Sequence, residues 1–213
     1  MLRNTCLVCN TLNINKIIDL GLHSYADTFI PEVALNKTDP VYPLICYLCN
    51  NCGYIQSGYA TDPNERYSLY DYSYTSSNSS TSRSHWFEFA ECVCSKIDMD
   101  PNELIVEIGS NDGFLAKLFQ QKGQRVLGID ASPKMAEIAK VCGVDTIVGL
   151  FDEEIGNLVL SKHGIPKIII GKLKSWLNKL LDLKRTLHKV RNGKDVCQFQ
   201  LTASRSERES ARE

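Results

Sequence analysis

Residues Leu104 to Ala131, LIVEIGSNDGFLAKLFQQKGQRVLGIDA, decide the fold of this chain. Leu104, Ile105, Val106 and Ile108 make a short apolar run, the pattern of a strand buried on both faces of a parallel sheet. Gly109 lets the chain turn, and Asn111 or Asp112 can cap a helix whose apolar residues Phe114, Leu115, Leu118 and Phe119 recur at helical spacing. That helix ends near Gly123. A second apolar run, Val126 to Ile129, finishes at Asp130, about 20 residues past the turn, where a carboxylate can accept both hydroxyls of a ribose.

The glycine spacing, Gly109-Ser110-Asn111-Asp112-Gly113, lacks the G-x-G-x-x-G that seats a pyrophosphate on a helix N-terminus, so a dinucleotide is disfavoured. Glu107 and Asp112 place negative charge where a phosphate would otherwise lie, and that charge suits a ligand carrying an ammonium and a sulfonium. S-adenosylmethionine is such a ligand. Glu107, Gly109, Asn111, Asp112, Gly113 and Asp130 are therefore the candidate cofactor-binding residues. The competing reading is an ordinary strand, turn and helix of an α/β core without a ligand. Beyond Asp130 the pattern predicts a helix around Lys134 to Val141, a strand near Asp145 to Leu150, a helix near Glu153 to Ser161 and a strand Ile168 to Ile170, hence four strands in all.

At 213 residues the chain is long enough for one good-sized core or two smaller domains. Its 24 basic and 25 acidic residues nearly cancel, which gives no general attraction to nucleic acid or to an anionic membrane. No apolar run approaches the roughly 20 residues needed to span a bilayer, and Met1 to Asn10 lacks the apolar segment of a signal peptide. A cytoplasmic protein is expected. Nine cysteines in a reducing compartment favour metal ligation, and an odd number rules out a complete set of disulfides within one chain.

Cys6 with Cys9 in CLVCN, and Cys49 with Cys52 in CNNCG, form C-x-x-C pairs whose four thiolates can close a tetrahedral zinc site. Asn10 and Gly53, which follow the pairs, tolerate the left-handed conformation that such turns need. Cys46 with Cys49 is also C-x-x-C; Cys49 with Cys52 is preferred because Gly53 follows. The pairs stand farther apart than the roughly 15 to 20 residues of a compact zinc ribbon, so an insertion is tied between them. A site closed by four sulfurs leaves no position open for water or substrate, so the zinc reads as structural. A nucleic-acid-binding ribbon is the weaker alternative, because the knuckles carry few basic residues.

Between the cysteines and the sheet lies ERYSLYDYSYTSSNSSTSRSHWFEFAE, with tyrosines at 67, 70, 72 and 74. Its serines suggest a linker. Its aromatic density argues otherwise, since tyrosine offers a stacking face and a hydroxyl that can transfer a proton. From Ser84 the spacing of Trp86, Phe87, Phe89, Ala90 and Val93 predicts a helix packed on the sheet.

EIGSNDG followed by RVLGIDAS resembles the first two motifs of class I methyltransferases, in the form found in the sugar C-methyltransferases that carry an N-terminal zinc-binding domain. CLVCN, IIDLGLHSYADTFI, YPLICYLCNNCGYIQ and YDYSYTSSNSSTSRSH resemble that family's metal domain and tyrosine-rich link, in the same order, so the likeness runs from Cys6 to Phe151. The resemblance implies an α/β chain organised as a zinc-binding domain at 1–66, a link and helix at 67–100, and the adenosylmethionine-binding half of a methyltransferase sheet, order 3-2-1-4, at 101–171. It also implies catalytic roles for Tyr72 and Tyr74, cofactor contact by Ser77, Ser80 and His85, and a nucleotide-linked keto-deoxysugar as the methyl acceptor.

The end of the chain departs from the family. In residues 172–213, Leu173, Trp176, Leu177, Leu180, Leu181 and Leu187 mark one face of a basic amphipathic helix, and the tail RNGKDVCQFQLTASRSERESARE is expected to lack structure. The family's acceptor-side histidines and glutamate have no match here. Three readings follow: a truncated or divergent enzyme, a non-catalytic module binding zinc and adenosylmethionine, or a fragment completed by a partner along the unpaired edge of the fourth strand. A zinc-ribbon adaptor without cofactor is a further alternative.

Overall fold

The apolar run that opens at Leu104 becomes the centre of a parallel sheet in a computed structural model that describes residues 1–26, 29–68, 74–171 and 198–201. The chain divides into two units, the first Met1–Tyr74 and the second beginning at Thr75. In the first unit, β1 (Ile14–His23), β2 (Tyr42–Cys49) and β3 (Ile55–Ser57) form an antiparallel sheet in that order. A short helix, α1 (Pro63–Ser68), follows.

The second unit opens with α2 (Ser80–Lys96), whose N-cap Ser79 accepts a hydrogen bond from the Ser82 N–H. There follow β4 (Leu104–Ile108), α3 (Phe114–Gln121), β5 (Arg125–Asp130), α4 (Pro133–Val141), β6 (Thr146–Val148), α5 (Glu153–His163) and β7 (Ile168–Gly171). Ser132 and Asp152 cap α4 and α5 with side-chain oxygens, which satisfies N–H groups that the helices themselves cannot. Leu104, Ile105 and Val106 are all buried, as the central position of β4 between β5 and β7 requires. Phe89, Ala90 and Val93 of α2 share one core with Ile105, Leu115, Phe119, Val126 and Ile168, so the helix expected after the tyrosine-rich segment does pack on the sheet.

Two expectations are corrected. The sheet has the order β6-β5-β4-β7-β8, adding a fifth strand, β8 (Gln198–Leu201), to the four expected. β8 pairs parallel to β7, so part of the tail expected to lack structure is a strand. It also occupies the edge of the fourth strand that was expected to await a partner. The physical reason is that an edge exposes a row of backbone donors and acceptors, and an extended segment of the same chain can satisfy them. Second, the N-cap position of α3 is Gly113, in a left-handed conformation; of the two capping residues expected, Asp112 accepts from the Phe114 N–H through Oδ1 at 3.3 Å, while the Asn111 carboxamide oxygen receives Ser76. The amphipathic helix expected from residue 172 lies outside the described residues.

Gly109 and Gly113 both have positive φ, 73° and 74°, yet their surroundings differ. A Cβ at Gly109 would meet open space, whereas at Gly113 it would stand 2.9 Å from Ala139 Cβ and 3.2 Å from the Ala139 backbone. Gly109→Ala should therefore cost only backbone strain, about 1–2 kcal/mol. Gly113→Ala should cost about 1–3 kcal/mol more, because α3 and α4 must also separate. Chemical denaturation of the two variants checks this; equal losses would contradict the close approach of these helices.

Candidate functional site

The two C-x-x-C turns of the first unit are built alike. Asn10 and Gly53 donate their N–H groups back to the Cys6 and Cys49 carbonyls, at 3.0 and 2.9 Å, with φ of 57° and 74°. Cys6 and Cys49 in turn donate to the Thr11 and Tyr54 carbonyls. These turns bring Cys6, Cys9, Cys49 and Cys52 together, their sulfurs all within 4.8 Å of one another. Cys6 to Cys52 and Cys9 to Cys49 are each 3.6 Å, close to the about 3.8 Å edge of a tetrahedron with 2.3 Å metal–sulfur bonds. Cys46 lies three residues before Cys49 on β2, and such spacing turns side chains to opposite faces of a strand, which explains its place outside the cluster.

The surroundings prepare these thiols for a cation. Asn51 Nδ2 donates to Cys9 Sγ, and with the Thr11 N–H it lowers the Cys9 thiol to about 6. The Cys9 N–H likewise lowers Cys6. At Cys52 the Tyr54 N–H also pulls downward, but burial and the other three thiols push this group up to about 12. A bound dication would favour the thiolate form of each ligand. Buried Gln56 ties the first turn to β3, accepting from the Leu7 N–H and donating to the Thr5 carbonyl, both at 2.8 Å.

In the second unit the loop 109–113 follows β4, the strand at which the sheet order reverses, and open α/β sheets bind ligands at the carboxyl ends of such strands. Asp130, at the end of β5, is buried and accepts from the Asn111 N–H at 2.7 Å and the Ser132 N–H at 2.9 Å. Gly109 and Ser110 donate to the Ile129 carbonyl beside it. The glycine turn and the carboxylate therefore meet at one place. Glu107 is buried within β4. Cavities of about 270 and 450 Å³ open at the other end of these strands, lined by Leu104, Arg125 and His163, and share no residue with the loop.

The serine-rich link comes to the same loop. Ser76 donates to Asn111 Oδ1 through both its N–H, at 2.7 Å, and its hydroxyl, at 3.2 Å. Ser77 does the same to Asp112 Oδ2, at 3.0 and 2.6 Å. Of the link residues named from sequence, Ser77 thus reaches the loop, while Ser80 is exposed at the start of α2 and His85 packs edge-on against Trp86. Tyr74 is exposed at the end of the first unit, and Tyr72 lies outside the described residues. Ser76 went unread in the sequence, since one hydroxyl within a serine run carries no signal of its own.

Residues 6–67 match the family model described as "Putative zinc binding domain". The chain is 25% identical over 167 residues to the C-methyltransferase NovU of Streptomyces niveus, a match covering 78% of this chain and 39% of that protein. It thus spans about two fifths of that relative's length. Both findings bear out the family resemblance drawn from the sequence. Among solved structures it is similar to a SAM-dependent methyltransferase from Geobacter sulfurreducens in complex with S-adenosyl-L-homocysteine (16% identity, TM-score 0.38, 53% of this chain and 46% of that one). It is also similar to magnesium protoporphyrin IX methyltransferase from Synechocystis (15%, 0.35, 49% and 50%). A third likeness is to an alcohol dehydrogenase from Thermus sp. ATN1 (17%, 0.40, 55% and 34%). These superpositions are partial, and the architecture rests on the strand order itself. No helix among the described residues is long and apolar enough to cross a membrane.

Elemental analysis of the purified chain should find one zinc per molecule. Cys49→Ser should lose most of it and Cys46→Ser should retain it; equal retention by both variants would contradict the four-cysteine site.

Proposed function

We propose that this chain belongs to the C-methyltransferases with an N-terminal zinc-binding domain and is the metal- and cofactor-bearing portion of an enzyme that methylates carbon. The observation that carries the reading is the meeting of the left-handed loop after β4 with the carboxylate that ends β5, 2.7 Å from Asn111 N to Asp130 Oδ2. In this reading zinc sits on Cys6, Cys9, Cys49 and Cys52 and stabilises the first unit without entering the chemistry. S-adenosylmethionine would be held by the loop Gly109 to Gly113 and, at its ribose, by Asp130. A carboxylate accepts at about four sites, so holding backbone amides and receiving ribose hydroxyls are compatible demands. Glu107 contributes negative charge beneath the ammonium and sulfonium.

The acceptor is a nucleotide-linked keto-deoxysugar. A base removes the proton on the carbon beside the ketone, the enolate carbon attacks the methyl, and the carbon–sulfur bond breaks to leave S-adenosylhomocysteine. Holding carbanion and methyl together supplies much of the rate gain. Tyr72 and Tyr74 are the candidate proton-handling groups in this sequence, and Ser77, Ser80 and His85 complete the cofactor side. A second reading is a module that binds zinc and adenosylmethionine without catalysis.

Incubation with methyl-labelled adenosylmethionine and a panel of keto-sugar nucleotides, alongside direct binding, separates the two readings. Binding with label transfer supports the enzyme, and binding alone supports the module. No binding at all would sink both.

A further inference from the structure

We infer that Ser76 and Asn111 are positioning residues that latch the cofactor loop to the serine-rich segment leading into α2, so that ordering of the loop by an adenosyl ligand also orders that segment, the link. The second half of this inference rests on the cofactor reading above; the latch itself does not. Asn111 sits at a crossing of two bonding directions. Its N–H runs to Asp130 and its side-chain oxygen receives both donors of Ser76, while Asp112 receives both donors of Ser77. Ser76, Asn111 and Asp112 are only 3%, 7% and 4% exposed, so a broken bond here would leave a buried donor without water to replace its partner.

The φ of 54° at Asn111 serves both directions at once, since the left-handed backbone aims the N–H at β5 while the carboxamide reaches the link. Asparagine is among the few side chains that adopt this region readily.

The link is stiff on its own side. Asn78 N–H bonds the Thr75 carbonyl, Arg83 reaches back to the Ser77 carbonyl at 2.8 Å, and Ser79 caps α2. A shift of the loop is therefore passed to Ser76 and Ser77 and on to the start of α2. Because coupling between two sites is reciprocal, the ligand's effect on the link and the link's effect on ligand affinity must be equal in size. Asn111 and Asp112, both assigned from sequence to direct cofactor contact, then act by holding the loop's backbone in place.

The test is hydrogen exchange read amide by amide by NMR on the full chain, with and without saturating S-adenosylhomocysteine, for the natural protein, Asn111→Gly and Ser76→Ala. Glycine keeps the left-handed backbone accessible and removes the carboxamide whose oxygen accepts from Ser76. In the free natural protein the Ser76 amide should exchange at least about tenfold more slowly than in Asn111→Gly, and ligand should slow it further by about 5- to 150-fold. In Asn111→Gly, ligand protection should stop at the loop. Ser76→Ala, which retains the amide donor, should fall between and serves alone if the glycine variant does not fold. Equal Ser76 exchange in natural and variant free proteins would overturn the latch. Ligand that protects the loop of the natural protein without protecting the link would overturn the coupling. Absence of a calorimetric binding signal would defeat the cofactor reading and the coupling with it, leaving the free-protein comparison to judge the latch.

Discussion

The Asp130 carboxylate is the constraint on which the second unit's site depends. It accepts backbone N–H groups from two loops, Asn111 after β4 and Ser132 after β5, and so fixes the carboxyl ends of two neighbouring parallel strands to each other. Parallel strands have no hairpin to set their ends, and the N–H groups of a loop leaving a buried strand need partners of their own. A carboxylate in this position meets that need and places negative charge at the mouth of the sheet. The loop that results is held from three directions: by Asp130, by the Ile129 carbonyl, and by Ser76 and Ser77.

The first unit meets a different constraint with a different device. Its sheet leaves much apolar surface in water: Ile45 is buried, whereas Ile18, Leu20, Leu44 and Ile55 are exposed. A sheet that buries so little apolar surface gains from a covalent-strength staple, and four thiols drawn within 4.8 Å provide the donor set for one. The same closure that makes such a centre stabilising leaves it without an open position for chemistry.

The parts of this molecule that were legible in the sequence are those with a periodic or paired signature. The apolar run at Leu104, the second at Val126 and the helical spacing between them correspond to β4, β5 and α3. The C-x-x-C pairs with their following Asn10 and Gly53 correspond to the two turns, positive φ included. What could not be read was set by contacts between distant residues. Ser76 meets Asn111 across 35 positions, and that contact engages one of the two side chains expected at the start of α3, leaving Asp112 to accept from the Phe114 N–H. β8 is a strand because β7 offers it an edge, a property of the sheet and not of the polar tail in which residues 198–201 lie.

The cofactor reading places an adenosyl ligand where the loop after β4 meets the end of β5. Mapping amide chemical shifts during titration with S-adenosylhomocysteine tests it most directly. The largest changes should fall on Gly109 to Gly113 and on Asp130 to Ser132, while Asn102 to Leu104 and His163 to Lys167, at the opposite end of the sheet, stay in place. Shifts confined to that opposite end, or none at saturating ligand, would contradict it.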